Sequence, residues 1–465
     1  MKKIKTILII GGGSAGWMTA AYFSSRQPDL KITLIESMEV STISVGESTN
    51  PITRIFHERM QLDERIFMRF CNATYKIAIK FENFSSNGQS FYHPFGKPFE
   101  NEVKFRSNAD LCYLSTLMSK KNKFDIEKVE SYGFQLDASL YGEFLKQIAL
   151  KHGVEYKIKT INNISYNDNG YIEDVDGNKA DLYVDCTGFK SILFKNIKDK
   201  NFFPINDYLL NDRAVVINVP YIHCNNEMKP YTNCRALSAG WAWDIPLWNR
   251  RSVGYVYSSS FLTEEKAEEE LRGNLGSEKV NNLSCRHIKI RQGRFRNSYV
   301  KNWVGIGLSS GFIEPLESTG LALAQKNIMN LESLLNSPEA YNHITNALFD
   351  STVDFILAHF VLTQRDDTEY WRFIKFKNPI THSLKDILQN VKRNNYNNIE
   401  FDRNSFYKVM NWNSILSGMG IFDKEGNIAR ENRTIANSSI QSLANDYYVE
   451  NMPNHYEFLR KCVHN

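Results

Sequence analysis

The chain has 465 residues, 42% of them hydrophobic and 23% charged, an ordinary globular balance with length for two or three domains or one interleaved α/β enzyme. A net charge of only +4, with no long block of like charge, excludes an electrostatic arm for nucleic acid. No apolar run approaches the roughly 18 residues of a membrane span. The seven cysteines form no C-x-x-C pair and leave an odd count, so reduced thiols and a cytoplasmic location are expected.

Lys5–Ile10 reads as a first strand, and a helix follows from about Gly13 to Arg26. Met1-Lys2-Lys3 ahead of Ile7–Ile10 imitates a signal peptide, but the apolar stretch is short and runs straight into glycines. Lys31–Ile35 is a second strand ending in Glu36, which makes a βαβ start and a doubly wound sheet. Between the first strand and the helix, Gly11, Gly13 and Gly16 fit G-x-G-x-x-G. The first allows the tight turn, the second lets backbone approach a pyrophosphate, and the third lets helix pack on strand. Glu36, twenty residues beyond Gly16, stands where a ribose-binding carboxylate belongs. A dinucleotide site follows, with the helix N-terminus facing the phosphates.

Tyr75–Phe81 alternates, placing Tyr75, Ile77, Ile79 and Phe81 on one face and Lys76, Ala78 and Lys80 on the other. From pattern alone this is a half-buried strand with solvated lysines. Ala138–His152 reads as a helix, and Leu182–Gly188 as a buried strand ending in a polar turn. Strand-like alternation fills Ala214–Pro220, Ser238–Ile245 and Ser252–Tyr257. Within it, Gly240-Trp241-Ala242-Trp243-Asp244-Ile245-Pro246 sends Trp241 and Trp243 to one face as an aromatic wall, and Pro246 limits the strand. Each indole N–H calls for a partner. Val304–Leu308 returns to a glycine-rich strand, and Leu321–Leu335 is a helix. Glu314-Pro315-Leu316-Glu317-Ser318-Thr319-Gly320 precedes it, where Ser318 or Thr319 is placed to cap. From about Pro338 the chain reads mostly helical, with an Asn-rich connection at Asn394–Asn398.

Together the glycine turn, W-x-W-x-I-P and E-P-L-E-S-T-G resemble the flavin-dependent tryptophan-halogenase family, and the likeness covers most of the chain in order. Asp185-Cys186-Thr187-Gly188, Gly305-Ile306-Gly307 and Val45-Gly46-Glu47-Ser48-Thr49, similar to the family's V-G-E-A-T, extend it. So do Asp207–Leu210, Gly254–Ser259 and Arg365–Trp371. The resemblance implies an α/β fold of the glutathione-reductase FAD-binding type, a doubly wound sheet with a β-rich insertion and a mostly helical C-terminal substrate region. The expected partition is 1–75, 125–200 and 290–336 for FAD, 76–124 and 201–289 for the β-rich insertion, and 337–465 for the helical module.

In the family, halide is oxidised to hypohalous acid at a flavin C4a-hydroperoxide, and a lysine hands the oxidant to an electron-rich ring. The resemblance assigns Lys76, from K-x-x-x-K-F, and Glu317 as catalytic residues, and leaves Lys80 structural. It implies FAD binding by Gly11, Gly13, Ser14, Ala15, Gly16, Glu36, Glu47, Ser48, Leu308 and Leu321, and halide binding by Thr319 and Gly320. Trp241 and Trp243 wall the flavin from organic substrates. His93 and Phe95, in Phe91–Gly96, together with Ser318 and Tyr407, are the implied substrate contacts. The cofactors are FAD, as FADH2 from a separate and transient flavin reductase, and a halide ion. No metal, nucleic acid or membrane partner is implied, and a homo-oligomer is left open. Tryptophan-specific members are longer, whereas Phe406–Trp412 here lacks their full amino-carboxylate grip. The chain most resembles the compact non-tryptophan branch of marine bacteria and phages, with indoles or phenols as substrates. The same fold in a flavin-dependent aromatic monooxygenase should lack W-x-W-x-I-P. A non-catalytic FAD-binding protein would have no use for Lys76 and Glu317.

Overall fold

The computed structural model describes residues 4–38, 46–98, 109–276, 280–393, 399, 401, 403–422 and 448–465. Val45 and the Asn394–Asn398 connection lie outside the described residues. By its contacts the chain divides into two compact units, Met1–Ala73 with Leu136–Ile205 and Arg291–Phe349, and Thr74–Gln135 with Asn206–Ile290 and Asp350–Asn465.

The first unit is built on a six-stranded sheet. Its strands run in the order Tyr299–Val300, Trp303–Gly305, Leu182–Asp185, Thr6–Ile10, Lys31–Glu36 and Glu155–Ile158. All neighbours are parallel except the short Tyr299–Val300 edge. A parallel sheet covered on both faces needs continuous apolar strands, and Ile7 to Ile10 are all buried. Helix Ser14–Arg26 follows the first strand at once. It packs against helix Ala138–Lys151, whose N-cap Asp137 accepts from the amides of Ser139 and Leu140 at 3.0 and 3.2 Å. This is the doubly wound arrangement read from the sequence. Where Val304–Leu308 reads as one strand, only Trp303–Gly305 pairs, and Gly307–Ser309 turns as a short 3₁₀ helix with Gly307 at φ +68°.

The second unit holds a seven-stranded sheet. Its order is Cys285–Lys289, Arg213–Val219, Arg251–Tyr257, Gly240–Pro246, Tyr231–Leu237, Ala78–Glu82 and Ser90–Pro94. One face carries Val215, Ile217, Ala242, Val253 and Tyr255, and is covered by Ala267 and Leu271 of helix Glu264–Leu275. Alternation therefore turns Trp241 and Trp243 to the opposite face. The helices Glu369–Phe376, His382–Lys392, Val409–Gly418 and His455–Cys462 belong to this same unit. Trp371 donates its indole N–H to the carbonyl of Leu237 at 2.7 Å, and a side chain at Gly418 would collide with the ring of Phe91. The β-rich insertion and the helical C-terminal segment thus share one core. Among the described residues no helix is long and apolar enough to cross a membrane.

The Tyr75–Phe81 segment departs from a half-buried strand. It is two strands, Thr74–Lys76 and Ala78–Glu82, broken at Ile77, whose N–H leaves the ladder for the carbonyl of Pro230 at 2.8 Å. Both faces are covered. Lys76 is 0% exposed and not solvated, whereas Lys80 pairs with Glu82, which Arg235 also holds.

Candidate active site

The first unit assembles the glycine turn. Gly11 has φ +108°, and a side chain there would strike the carbonyl of Cys186; at Gly16 it would strike the carbonyl of Gly11. Gly13 is the helix N-cap and supplies no side-chain hydrogen bond, so the first-turn N–H groups carry no internal cap. Ser14 donates to the carbonyl of Ala138 at 3.3 Å, and Ala15 lies against Gly307. Glu36 accepts from the Tyr156 hydroxyl at 2.8 Å, which orients its carboxylate. Gly12, absent from the motif reading, is the glycine whose side chain would fill the space of the Glu36 carboxyl. The run of three glycines was its only trace. A cradle closed to side chains, an uncapped helix end and an oriented acid fit an adenine dinucleotide.

The D-C-T-G turn is held together from within. Asp185 is fully buried and accepts from the amide and hydroxyl of Thr187 at 2.9 and 2.6 Å and from the amide of Leu193 at 2.8 Å. Burial raises its carboxyl, against these hydrogen bonds. It holds the turn, and Ser309 then fastens that turn by donating to the carbonyl of Gly188 at 3.1 Å.

Strand Gly46–Ser48 carries the other flavin-side candidates. Burial pushes the Glu47 carboxyl up to about 7. Ser48 accepts from the Ser318 hydroxyl at 3.1 Å. That contact corrects the capping expectation. Ser318 is the N-cap of helix Thr319–Ser333, but at φ +60° its side chain makes no cap. Thr319 does not replace it, since its hydroxyl faces the carbonyl of Glu314 at 3.5 Å. Just ahead of this turn Glu314 and Glu317 are 0% and 1% exposed. Leu321 is buried and Leu308 is half-buried.

The second unit gathers the aromatic candidates around the lysine. The Lys76 ammonium lies 5.2 Å from the centre of the Phe95 ring. Phe95 meets His93 edge-on at 6.2 Å, and His93 is 6.4 Å from Tyr407. Two further residues complete the cluster. Phe355 stacks on Tyr407 at 3.8 Å, and the Asn411 amide lies 3.0 Å from Nε2 of His93. Phe355 sits in an apolar helix where nothing in sequence separates it from core. Asn411 falls within the Phe406–Trp412 segment but had no motif to mark it.

Trp241 and Trp243, 1% and 8% exposed, stand 6.1 Å apart between ring centres. Trp243 lies over Gly254 of the neighbouring strand, where any side chain would overlap its ring. Its indole N–H is buried with no partner among the described residues, against the expectation that the wall would satisfy both donors.

Fold and residue sets define a dinucleotide-binding α/β enzyme with an aromatic, lysine-bearing second unit. A family model described as tryptophan halogenase matches residues 6–431. Tryptophan 7-halogenase RebH from Lentzea aerocolonigenes is 31% identical, the match covering 99% of each chain. Among solved structures, Tar14, a tryptophan C-6 flavin-dependent halogenase (chlorinase) from taromycin biosynthesis, has a TM-score of 0.86 at 30% identity. It covers 98% of this chain and 99% of that one. The apo structure of VirX1 gives 0.85 at 30% identity, with both chains fully covered. The chain belongs to the tryptophan-halogenase family and is a flavin-dependent enzyme that halogenates aromatic substrates.

Proposed function

We propose that the protein is an FADH2-dependent halogenase that passes hypohalous acid through Lys76 to an electron-rich arene of indole or phenol type. The observation that carries this reading is the burial of Lys76. An ammonium removed from water costs several kcal/mol, yet it is kept on a strand, beside Phe95 and the His93 and Tyr407 cluster. Lys80, four residues on, is partly exposed and pairs with Glu82, which suits a structural role.

In this reading the residues at the glycine turn, Glu36, Glu47, Ser48, Leu308 and Leu321 hold FAD. Reduced by a separate, transient reductase, it supplies with oxygen the two-electron oxidation of halide. Thr319 and Gly320 hold the halide on their backbone N–H groups, at a helix end that the Ser318 side chain does not cap. Trp241 and Trp243 keep the arene from the oxidising centre. Lys76 presents hypohalous acid by hydrogen bond or as an N-haloamine, and the ring carbon takes the halogen as oxygen departs in water. Glu317 stabilises the ring cation and accepts its proton. His93, Phe95, Ser318 and Tyr407 hold the ring.

Substrate choice rests on length. The alignment with RebH extends over 526 positions against a chain of 465, so that relative carries inserted segments. A chain without them, and without the full amino-carboxylate grip, suits simple indoles and phenols. The test supplies a flavin reductase, NADH and FAD, offers an indole and phenol panel with each halide, and reads products by mass spectrometry. Halide-dependent halogenated product supports the reading. Hydroxylated product without halide dependence identifies a monooxygenase, and flavin binding without product a non-catalytic protein.

A further inference from the structure

We propose that Asn411 is a positioning residue: it sets the ring proton of His93 on Nδ1 and covers the Nε2 lone pair, so that the imidazole does not divert the oxidant. The oxidant half of this rests on the role given to Lys76 above. All the residues involved belong to the second unit.

Asn411 is the third residue of helix Val409–Gly418, whose N-cap is Lys408. The backbone N–H of Lys408 donates to Oδ1 of Asn411 at 2.8 Å. A backbone N–H can only donate, so the end of the amide that faces it is the oxygen. The other end is then the NH2 group, and it lies 3.0 Å from Nε2 of His93. An amide NH2 has no lone pair to give, so Nε2 accepts, and the ring carries its proton on Nδ1. Helix capping alone does not ask for this second contact, since Glu or Gln at the same position closes a capping box.

The surroundings of His93 give the contact its consequence. The ring is 2% exposed and stands 6.2 Å from Phe95, whose own ring lies 5.2 Å from the Lys76 ammonium. Phe355 is 5.7 Å away on another side. A bare imidazole lone pair here would attack the halogen of hypohalous acid. The nitrogen–halogen bond would form as the halogen–oxygen bond broke, and the departing hydroxide would take the Nδ1 proton and leave as water. With Nε2 held by Asn411 and Nδ1 protonated, neither nitrogen offers a lone pair, and the oxidant is kept for the arene.

The experiment has two arms, both on the full chain. In nitrogen-15 NMR of histidine-labelled protein, with the His93 signals assigned by their loss in His93→Gln, Nε2 should resonate far downfield as a lone-pair nitrogen and Nδ1 as an N–H. Asn411→Asp keeps the acceptor for Lys408 but turns a carboxylate oxygen to the ring, so Nε2 should move to the N–H range. A change in packing alone would not exchange the two signals. In the second arm hypobromous acid is added to wild type and Asn411→Leu, quenched, and the peptides are mapped by mass spectrometry. His93 should be halogenated or oxidised several-fold more in the variant, as loss of one hydrogen bond allows, with Tyr407 as the internal standard. During turnover with bromide the same variant should inactivate after several-fold fewer products. If Asn411→Leu does not fold, Asn411→Asp, which keeps the helix start, decides through its nitrogen signals. A wild-type Nε2 in the N–H range, or equal modification of His93 in both proteins, would overturn the proposal. If the wild type makes no halogenated product, the role of Lys76 fails by itself, and the nitrogen signals and the added oxidant still decide Asn411.

Discussion

Ser318 gives its hydroxyl to Ser48, 3.1 Å away, and does not turn it back onto the helix it begins. A serine at an N-cap normally takes an extended backbone and accepts from the second or third amide. At φ +60° it cannot, and a non-glycine residue held there costs of order 1–3 kcal/mol. The fold accepts that strain and leaves the first turn of Thr319–Ser333 without a side-chain cap. A helix end that Ser318 does not cap contributes less to stability than a capped one, and in the proposed function its first-turn N–H groups are the ones that hold the halide.

That relationship makes Glu317→Gln informative. With no capping role left for this segment, the substitution should slow turnover by roughly 10²–10⁴-fold, the usual worth of a positioned acid or base. The melting temperature should move little, because a carboxylate at a helix start contributes about 1 kcal/mol. Turnover and thermal unfolding measured together decide it. Full activity with a lowered melting temperature would return Glu317 to a structural role.

Lys76 is best tested with Lys76→Met, since alanine at a fully buried position also opens a cavity. Halogenation of the arene should vanish while halide-dependent hypohalous acid, caught with a chemical trap, persists. Lys80→Ala removes a partly exposed ion pair and should cost at most about 1 kcal/mol, with activity near wild type. Equal loss in both variants would mean the wrong lysine had been chosen.

The aromatic wall depends on Gly254. Because a methyl group there overlaps the Trp243 ring, Gly254→Ala should destabilise by about 1–3 kcal/mol, as overpacked cores do. In a Trp243→Phe background the same change should cost less. A double-mutant cycle by denaturant unfolding checks this, and strict additivity would show that the ring does not rest on Gly254.

Much of this was legible in the chain. The first strand, its glycine turn and Glu36 carry a fixed spacing, and the structure places each within a residue or two of the reading. Trp241 and Trp243 share a face because strand alternation leaves no choice. The burial of Lys76 was not legible by pattern, since alternation describes one covered face and this strand has two. The conformation of Ser318 was hidden because the same residue types serve both capped and uncapped helix starts. Phe355 lies on an apolar helical stretch where only three-dimensional packing shows that its ring stacks on Tyr407.

The last prediction concerns acid. His57 and His455, one in each unit, are 5% and 0% exposed, and burial pushes both down to about 3. His57 shares a 2.8 Å hydrogen bond with the Tyr141 hydroxyl, and His455 donates from Nδ1 to the carbonyl of Met228 at 3.3 Å. Lys229 also disfavours charge on His455. Both are therefore neutral in the folded protein and take up a proton when it unfolds below about pH 6.5. At these two sites the unfolded state binds more protons throughout the window from about 6.5 to about 3. Their contribution to stability is complete above the upper limit and falls as pH falls through the window. By pH 5 each histidine should have removed about 2 kcal/mol. The Glu47 carboxyl, held up to about 7, works in the opposite sense but alike in wild type and variant, so the difference between them is the test. Between pH 7.5 and 5.0 the melting temperature of the wild type should fall relative to that of His455→Gln, which keeps a donor for Met228 but cannot titrate. An equal change in wild type and variant would show that His455 is not held neutral by its surroundings.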